Sequence, residues 1–177
     1  MGRGYGDWHD PWDLPSKPRA SRGGIKARTR RGEFAEKWWA KRWQEVLARA
    51  CAPSRLARGR AYARGGQVLS IDVGEGAVEA KVQGSRARPY AVSIKVDTLS
   101  AKERRKLADV LSKRALFAAK LLAGEMPPEL EEAFQEAGLS LVPRTREIWT
   151  RCSCPDWDHP CKHVAAVFCL LGEEFDR

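Results

Sequence analysis

Three thiols and an imidazole stand together near the end of this chain, in the order Cys152-x-Cys154-x6-Cys161-x-His163. Thiolate and imidazole are the donors that build closed tetrahedral zinc sites, so these four residues read as ligands of one structural Zn2+. Cys152 and Cys154 are expected at a strand end, with one residue between them and a turn pointing both sulfurs inward. Cys161 and His163 are expected at a helix start, where the positive helix end favours thiolate. Four protein ligands leave no open position for water or substrate, so the site should hold structure and perform no reaction. His159 is a rival ligand; it lies inside the loop and precedes Pro160, which favours His163. Cys169 fits the buried face of the following helix, and Cys51 has no nearby partner.

Catalytic chemistry is poorly supplied elsewhere. No Gly-rich loop with Lys-Ser/Thr is present, only three histidines occur, and no nucleophile is paired with a base. Asp156 and Asp158 suggest a turn beside the metal more than an acid–base pair. The chain therefore does not read as an enzyme, and no small-molecule substrate is evident.

Charge supplies the second chemistry. The net charge is +9, and residues 1–66 carry 16 Lys+Arg against 6 Asp+Glu, while residues 67–177 carry 16 against 17. All of the excess therefore lies in the first third, as in a polyanion-binding arm or a solubilising tail. Residues 19–31 bring six basic side chains close to Gly23 and Gly24. Lys26, Arg28, Arg30, Arg31, Lys37, Lys41 and Arg42 are candidate phosphate contacts. Trp38, beside Arg42 on a helix flank, either packs or stacks on a base. Arg86 and Arg88 project from a loop, available to phosphate or simply solvated.

The elements that would position these groups follow from periodicity. Residues 1–32 are broken by Gly and Pro yet contain Tyr5, Trp8 and Trp12, an arm that packs or docks through its rings. Residues 33–50 place Trp39, Trp43, Val46, Leu47 and Ala50 on one helical stripe, with Lys37, Lys41, Gln44 and Ala48 opposite, and Pro53 ends the helix. Residues 67–97 alternate with period two, inward at Leu69, Ile71 and Val73, at Val78, Ala80 and Val82, and at Tyr90, Val92, Ile94 and Val96. Three antiparallel strands follow, joined by the 74–76 turn and the 84–89 loop. Ser100 and Glu103 form a capping box, with helix to Gly124, a break near Ser112, and a short helix over 128–137. Its leucines, including Leu107, Leu111, Leu116, Leu121 and Leu122, with Val110 and Phe117, are expected to cover the sheet. Residues 146–151 read as a short strand with Ile148 inward, and 164–171 as an apolar helix.

The chain is thus expected to be α+β, a small antiparallel sheet covered by helices, with a C-terminal zinc finger and an extended basic N-terminal arm. Its segments are the arm (1–32), an amphipathic helix and connector (33–66), the sheet (67–97), a helical block (98–143) and the finger (144–177). No apolar stretch is long enough to span a bilayer, and residues 1–15 lack the core of a secretory signal. With an odd number of cysteines, that places the protein in the cytoplasm.

The ligand pattern, with Pro155, Asp156, Trp157, Pro160, Lys162 and Val164-Ala165-Ala166, resembles a SWIM zinc finger. Gly23-Gly24-Ile-Lys-Ala-Arg, Trp38-Trp39, Val82-Gln83-Gly84-Ser85 and Leu121-Leu122-Ala-Gly-Glu-Met-Pro are similar to bacterial stand-alone SWIM proteins, commonly encoded beside Swi/Snf-type helicases. The resemblance implies a zinc-stabilised binding module for DNA or proteins. Together with the charge, it leads to a non-catalytic protein that binds DNA or RNA as an accessory factor of a helicase or another nucleic-acid machine. The alternative is a protein-interaction adaptor whose basic arm grips an acidic protein surface or ribosomal RNA.

Overall fold

A computed structural model describes residues 17–156 and 159–176. The apolar run near the end forms the helix α6 (Lys162–Phe175), buried without interruption from His163 to Glu173. A helix apolar on every side must be surrounded, and the other elements take their places around it.

One side of α6 meets the inner face of a four-stranded antiparallel sheet in the order β1 (Val68–Gly74), β2 (Ala77–Val82), β3 (Tyr90–Val96) and β4 (Ile148–Cys152). Val78, Ala80 and Val82 pair with Ile94, Val92 and Tyr90, all inward as their alternation predicts. The strand expected within the finger completes the sheet, with Val96 opposite Ile148 and Val92 opposite Cys152. Strand β1 departs from expectation: a bulge between Val68 and Ser70 makes Val68 the fully buried residue. Ile71 is half-buried, and Val73, at the far end of this edge strand, is 66% exposed.

The other sides of α6 are covered by α1 (Trp38–Ala50) and α2 (Pro53–Arg64). In α1 the expected stripe holds: Leu47 is buried, and Trp43 stacks on Phe168 at 4.3 Å and meets Phe175 edge-on at 5.2 Å. Gln44, expected to face solvent, is half-buried and donates to the Phe168 carbonyl at 3.3 Å, fitting beside Gly172, where a Cβ would lie 2.0 Å from its amide. The helix begins at Trp38 because its N-cap Lys37 has an extended backbone, and Phe34 and Ala35 before it lie in the core. Residues 53–64, expected as connector, are a helix whose four arginines and central glycine conceal a stripe of Leu56, Tyr62 and Ala63. Gly59 is there for proximity: a Cβ would sit 2.5 Å from that of Ala165 on α6.

The helices α3 (Ala101–Ser112), α4 (Ala115–Leu122) and α5 (Leu130–Glu136) form a side block with its own core of Val110, Phe117, Ala133 and Ala137. The Ser100–Glu103 capping box is present, and Gly124 and Gly138 take positive φ just past the ends of α4 and α5. The block does not roof the sheet, a place taken by α6. Leu116 and Leu122 are consequently 65% and 90% exposed, since an eight-residue apolar helix can bury only one face against two short partners. Trp38 and Arg42 tie the block to α1 through the Met126 carbonyl (2.8 Å) and the Glu131 carboxylate (3.0 Å).

The described part of the expected arm lies along the body. The Arg19 amide donates to Gly84, that of Ile25 to Val68, and that of Ala27 to Ala63. At the end of α6, the buried Glu173 carboxylate accepts the Arg28 and Thr29 amides at 2.8 and 2.9 Å. Asp176 likewise accepts those of Glu36 and Lys37. Tyr5, Trp8 and Trp12 lie outside the described residues. No helix among the described residues is long and apolar enough to cross a membrane.

Two outcomes test this packing. Gly59→Ala gains up to about 1 kcal/mol of helix propensity but overpacks the α2–α6 contact by about 1–3 kcal/mol. A lower denaturation midpoint with unchanged slope is therefore expected in urea. Glu173→Ala removes the acceptor of two amides, and hydrogen exchange should rise at Arg28 and Thr29 well before the rest of the core opens.

Candidate metal centre

Strand β4 aims the first two sulfurs. Ser153 is pinned to β3, donating its amide to the Ala91 carbonyl and accepting the Ala91 amide on its Oγ, both at 2.9 Å. Side chains two apart on an extended chain share a face, so Cys152 and Cys154 turn inward together. Cys161 is the N-cap of α6, and His163 lies in that helix's first turn.

The ligand atoms of Cys152, Cys154, Cys161 and His163 all lie within 4.8 Å of one another. His163 Nδ1 is 3.8 Å from Cys152 Sγ and 3.7 Å from Cys161 Sγ. Sulfur and nitrogen bound tetrahedrally to one zinc are separated by about 3.6 Å, so the spacing fits such an ion. Nδ1 is therefore the metal-facing nitrogen. Cys152 and Cys161 share their protons with Cys154, which pulls the Cys154 thiol far below its ordinary pKa and pushes Cys152 up. His159 is exposed and outside the cluster, so it is His163 that stands with the three thiols.

The surroundings of His163 were not apparent from sequence. Its ring lies between Tyr62 (5.3 Å) and Tyr90 (4.7 Å), and Gly84 makes room for the Tyr90 and His163 rings, since a Cβ there would be 2.3 Å from the Tyr90 ring and 3.1 Å from Nε2. The 82–85 loop, noted only as a family-like stretch, is thus the back wall of the site. Asp156 pairs with Arg55 of α2 at 3.3 Å, consistent with a structural turn. Cys51 donates to the Pro160 carbonyl, fastening the end of α1 to the finger loop. Burial pushes the Cys51 thiol up and that of Cys169 up to about 12, so neither is reactive.

The candidate phosphate contacts fall in three places. Lys26 packs on Gly66, and its segment is bonded at Arg19 to Gly84, bringing it beside the loop of exposed Arg86 and Arg88. Arg28, Arg30 and Arg31 are near the end of α6, where Arg28 also donates to the Glu173 carbonyl. Lys37, Trp38, Lys41 and Arg42 lie on or beside α1, with Lys37 over the Trp39 ring and the Trp38 and Arg42 polar groups bonded to the side block. Glu131 and then Glu45 raise the Arg42 pKa further.

Fold and site together define an α+β protein with a buried Cys3His cluster able to hold one metal ion. No family model matches the chain, and no solved structure matches it. It is 49% identical over 171 residues to "Uncharacterized protein Rv2102" of Mycobacterium tuberculosis (strain ATCC 25618 / H37Rv). That alignment covers 96% of this chain and 61% of the relative, so the chain spans about three fifths of the relative's length.

The purified protein is expected to carry about one zinc per chain by elemental analysis, and Cys161→Ser to lose it together with much of its thermal stability. Three thiols must be free of protons to bind, so affinity should fall as pH falls, by about 100- to 1,000-fold per unit below neutrality. Competition with a chromophoric chelator measures this directly.

Proposed function

We propose that this chain is a non-catalytic SWIM-type module, held together by one structural Zn2+, that binds nucleic acid as an accessory factor of a helicase or another nucleic-acid machine in the cytoplasm. The observation that carries the reading is the meeting of the basic 17–32 segment with the Arg86–Arg88 loop, directly behind the metal-ligand cluster. The Arg19 end of that segment thereby stands beside Arg86 and Arg88, while Arg28, Arg30 and Arg31 lie toward the other end of α6. The SWIM-like ligand spacing supports the same conclusion.

In this reading the zinc ion supplies stability alone. Cys152 and Cys154 fix the end of β4, Cys161 and His163 fix the start of α6, and the Gly84 wall between them carries the cationic loop. Lys26, Arg28, Arg30, Arg31, Lys37, Lys41, Arg86 and Arg88 neutralise phosphate. Trp38 and Arg42 contribute by holding the side block against α1.

A protein-adaptor reading has one observation in its favour, the exposed Leu116 and Leu122 on α4. Pull-down with and without nuclease separates the two, because partners of an adaptor survive nuclease.

Binding measured by fluorescence anisotropy on duplex DNA should weaken about 1,000-fold between 50 and 200 mM salt if six phosphates are contacted. The Arg86→Glu, Arg88→Glu pair should lower the slope of log affinity against log salt by about two. Salt-independent affinity, or no binding to DNA or RNA, would sink the proposal.

A further inference from the structure

Four tryptophans lie among the described residues, and three of them are used up by the fold. Trp38 donates its indole N–H to the Met126 carbonyl, Trp39 to that of Phe175 and Trp43 to that of Phe168. Trp149 has no such bond and is 51% exposed, standing on the sheet face opposite α6. A half-exposed indole is unremarkable alone. Its neighbours make the position specific.

Lys95 lies directly across from Trp149 on β3, and Arg151 is two residues along β4 on the same face. Both are exposed, and neither has a carboxylate partner among the described residues. The floor between them and β2 is low, because Ala91 and Ser93 are small, and a shallow groove of about 800 Å³ runs over it. Glu79 forms the opposite wall. The groove is thus cationic and aromatic along β3–β4, while β2 presents Glu79 to it, with the exposed Lys81 two residues along the same face. Lys95 and Arg151 offer phosphate contacts on either side of Trp149, and Glu79 offers a carboxylate to base amino groups. Arg151 immediately precedes the metal ligand Cys152, so the platform is anchored at its end.

We infer that this sheet face binds single-stranded nucleic acid, with a base stacked on Trp149 and the flanking phosphates on Lys95 and Arg151. The inference rests on the nucleic-acid reading above and adds to it a second surface, distinct from the 17–32 segment, and a strandedness. An indole face accepts only a base that has left its duplex, whereas phosphate contacts by arginine and lysine serve either form.

The test uses the full-length zinc-loaded protein and labelled oligothymidylate and oligouridylate of about 20 nucleotides, with a duplex of equal length, by anisotropy at one salt concentration. Trp149→Ala should weaken single-strand binding about 10- to 100-fold and duplex binding less than about threefold, with Trp149→Phe recovering most of the loss. Unchanged zinc content and melting temperature show that the variants fold. A loss on either the DNA or the RNA strand supports the platform, and the strand bound more tightly by the unaltered protein identifies its ligand. Equal losses on single strand and duplex, or no loss, overturn the platform while leaving salt-sensitive nucleic-acid binding in place. An unaltered protein that binds none of the three overturns both readings. An independent check is photo-crosslinking with 5-iodouracil in the single strand: a crosslink to Trp149 supports the platform, and crosslinks confined to residues 17–42 overturn it.

Discussion

Helix α6 has no polar face, and that constraint organises the molecule. From Val164 to Leu171 every side chain is buried, so the helix can exist only inside a shell. The sheet supplies one wall, and α1 and α2 supply the others. The buried polar side chains on α6 sit at its two ends, where His163 enters the metal-ligand cluster and Glu173 receives backbone amides of the basic segment. A buried polar group must find a partner, so each end fixes a separate piece of chain. The core helix thereby positions both the cluster and the basic stretch 28–31.

The cluster compensates for what the 153–161 connection lacks. That stretch has two prolines, two aspartates and a serine, with Trp157 as its one large apolar side chain. An ion held by three thiolates and an imidazole contributes about 10–16 kcal/mol of apparent free energy in small motifs, as much as the net stability of a typical domain. Such an ion would account for a rigid joint between β4 and α6 across this short connection. The Gly84 wall extends that rigidity to the loop bearing Arg86 and Arg88.

What could be read in advance followed physical signals that are local. Strands β2 and β3 alternate cleanly because one face is buried and the other is not. The Ser100 cap and the glycines at 124 and 138 declare helix ends by their own chemistry, and the Cys3His cluster declares itself by donor type and spacing. Other features depend on partners distant in sequence. Helix α2 is hard to see in the sequence because four arginines dilute its apolar stripe, and the use of Gly59 appears only once Ala165 is placed against it. Gln44 reads as a surface residue until Gly172 opens a slot for it. The β1 bulge moves burial from Leu69 to Val68 without any mark in the alternation. Leu116 and Leu122 read as core because hydrophobicity gives no count of available faces. Trp149 was legible only as an outward position, since a single strand does not tell whether its outer side is roofed.

The grip of Glu173 on Arg28 and Thr29 joins residues about 145 positions apart, and α6 makes comparable closures with α1 and α2. Contacts of this separation incur a loop-closure entropy before they return any stabilisation, which slows folding. On a ribosome, α1, α2 and β1–β3 all emerge before the helix they enclose. Until residues 162–175 have been synthesised, their apolar faces have no common partner, so the nascent chain presents a hollow shell that chaperones would have to shield.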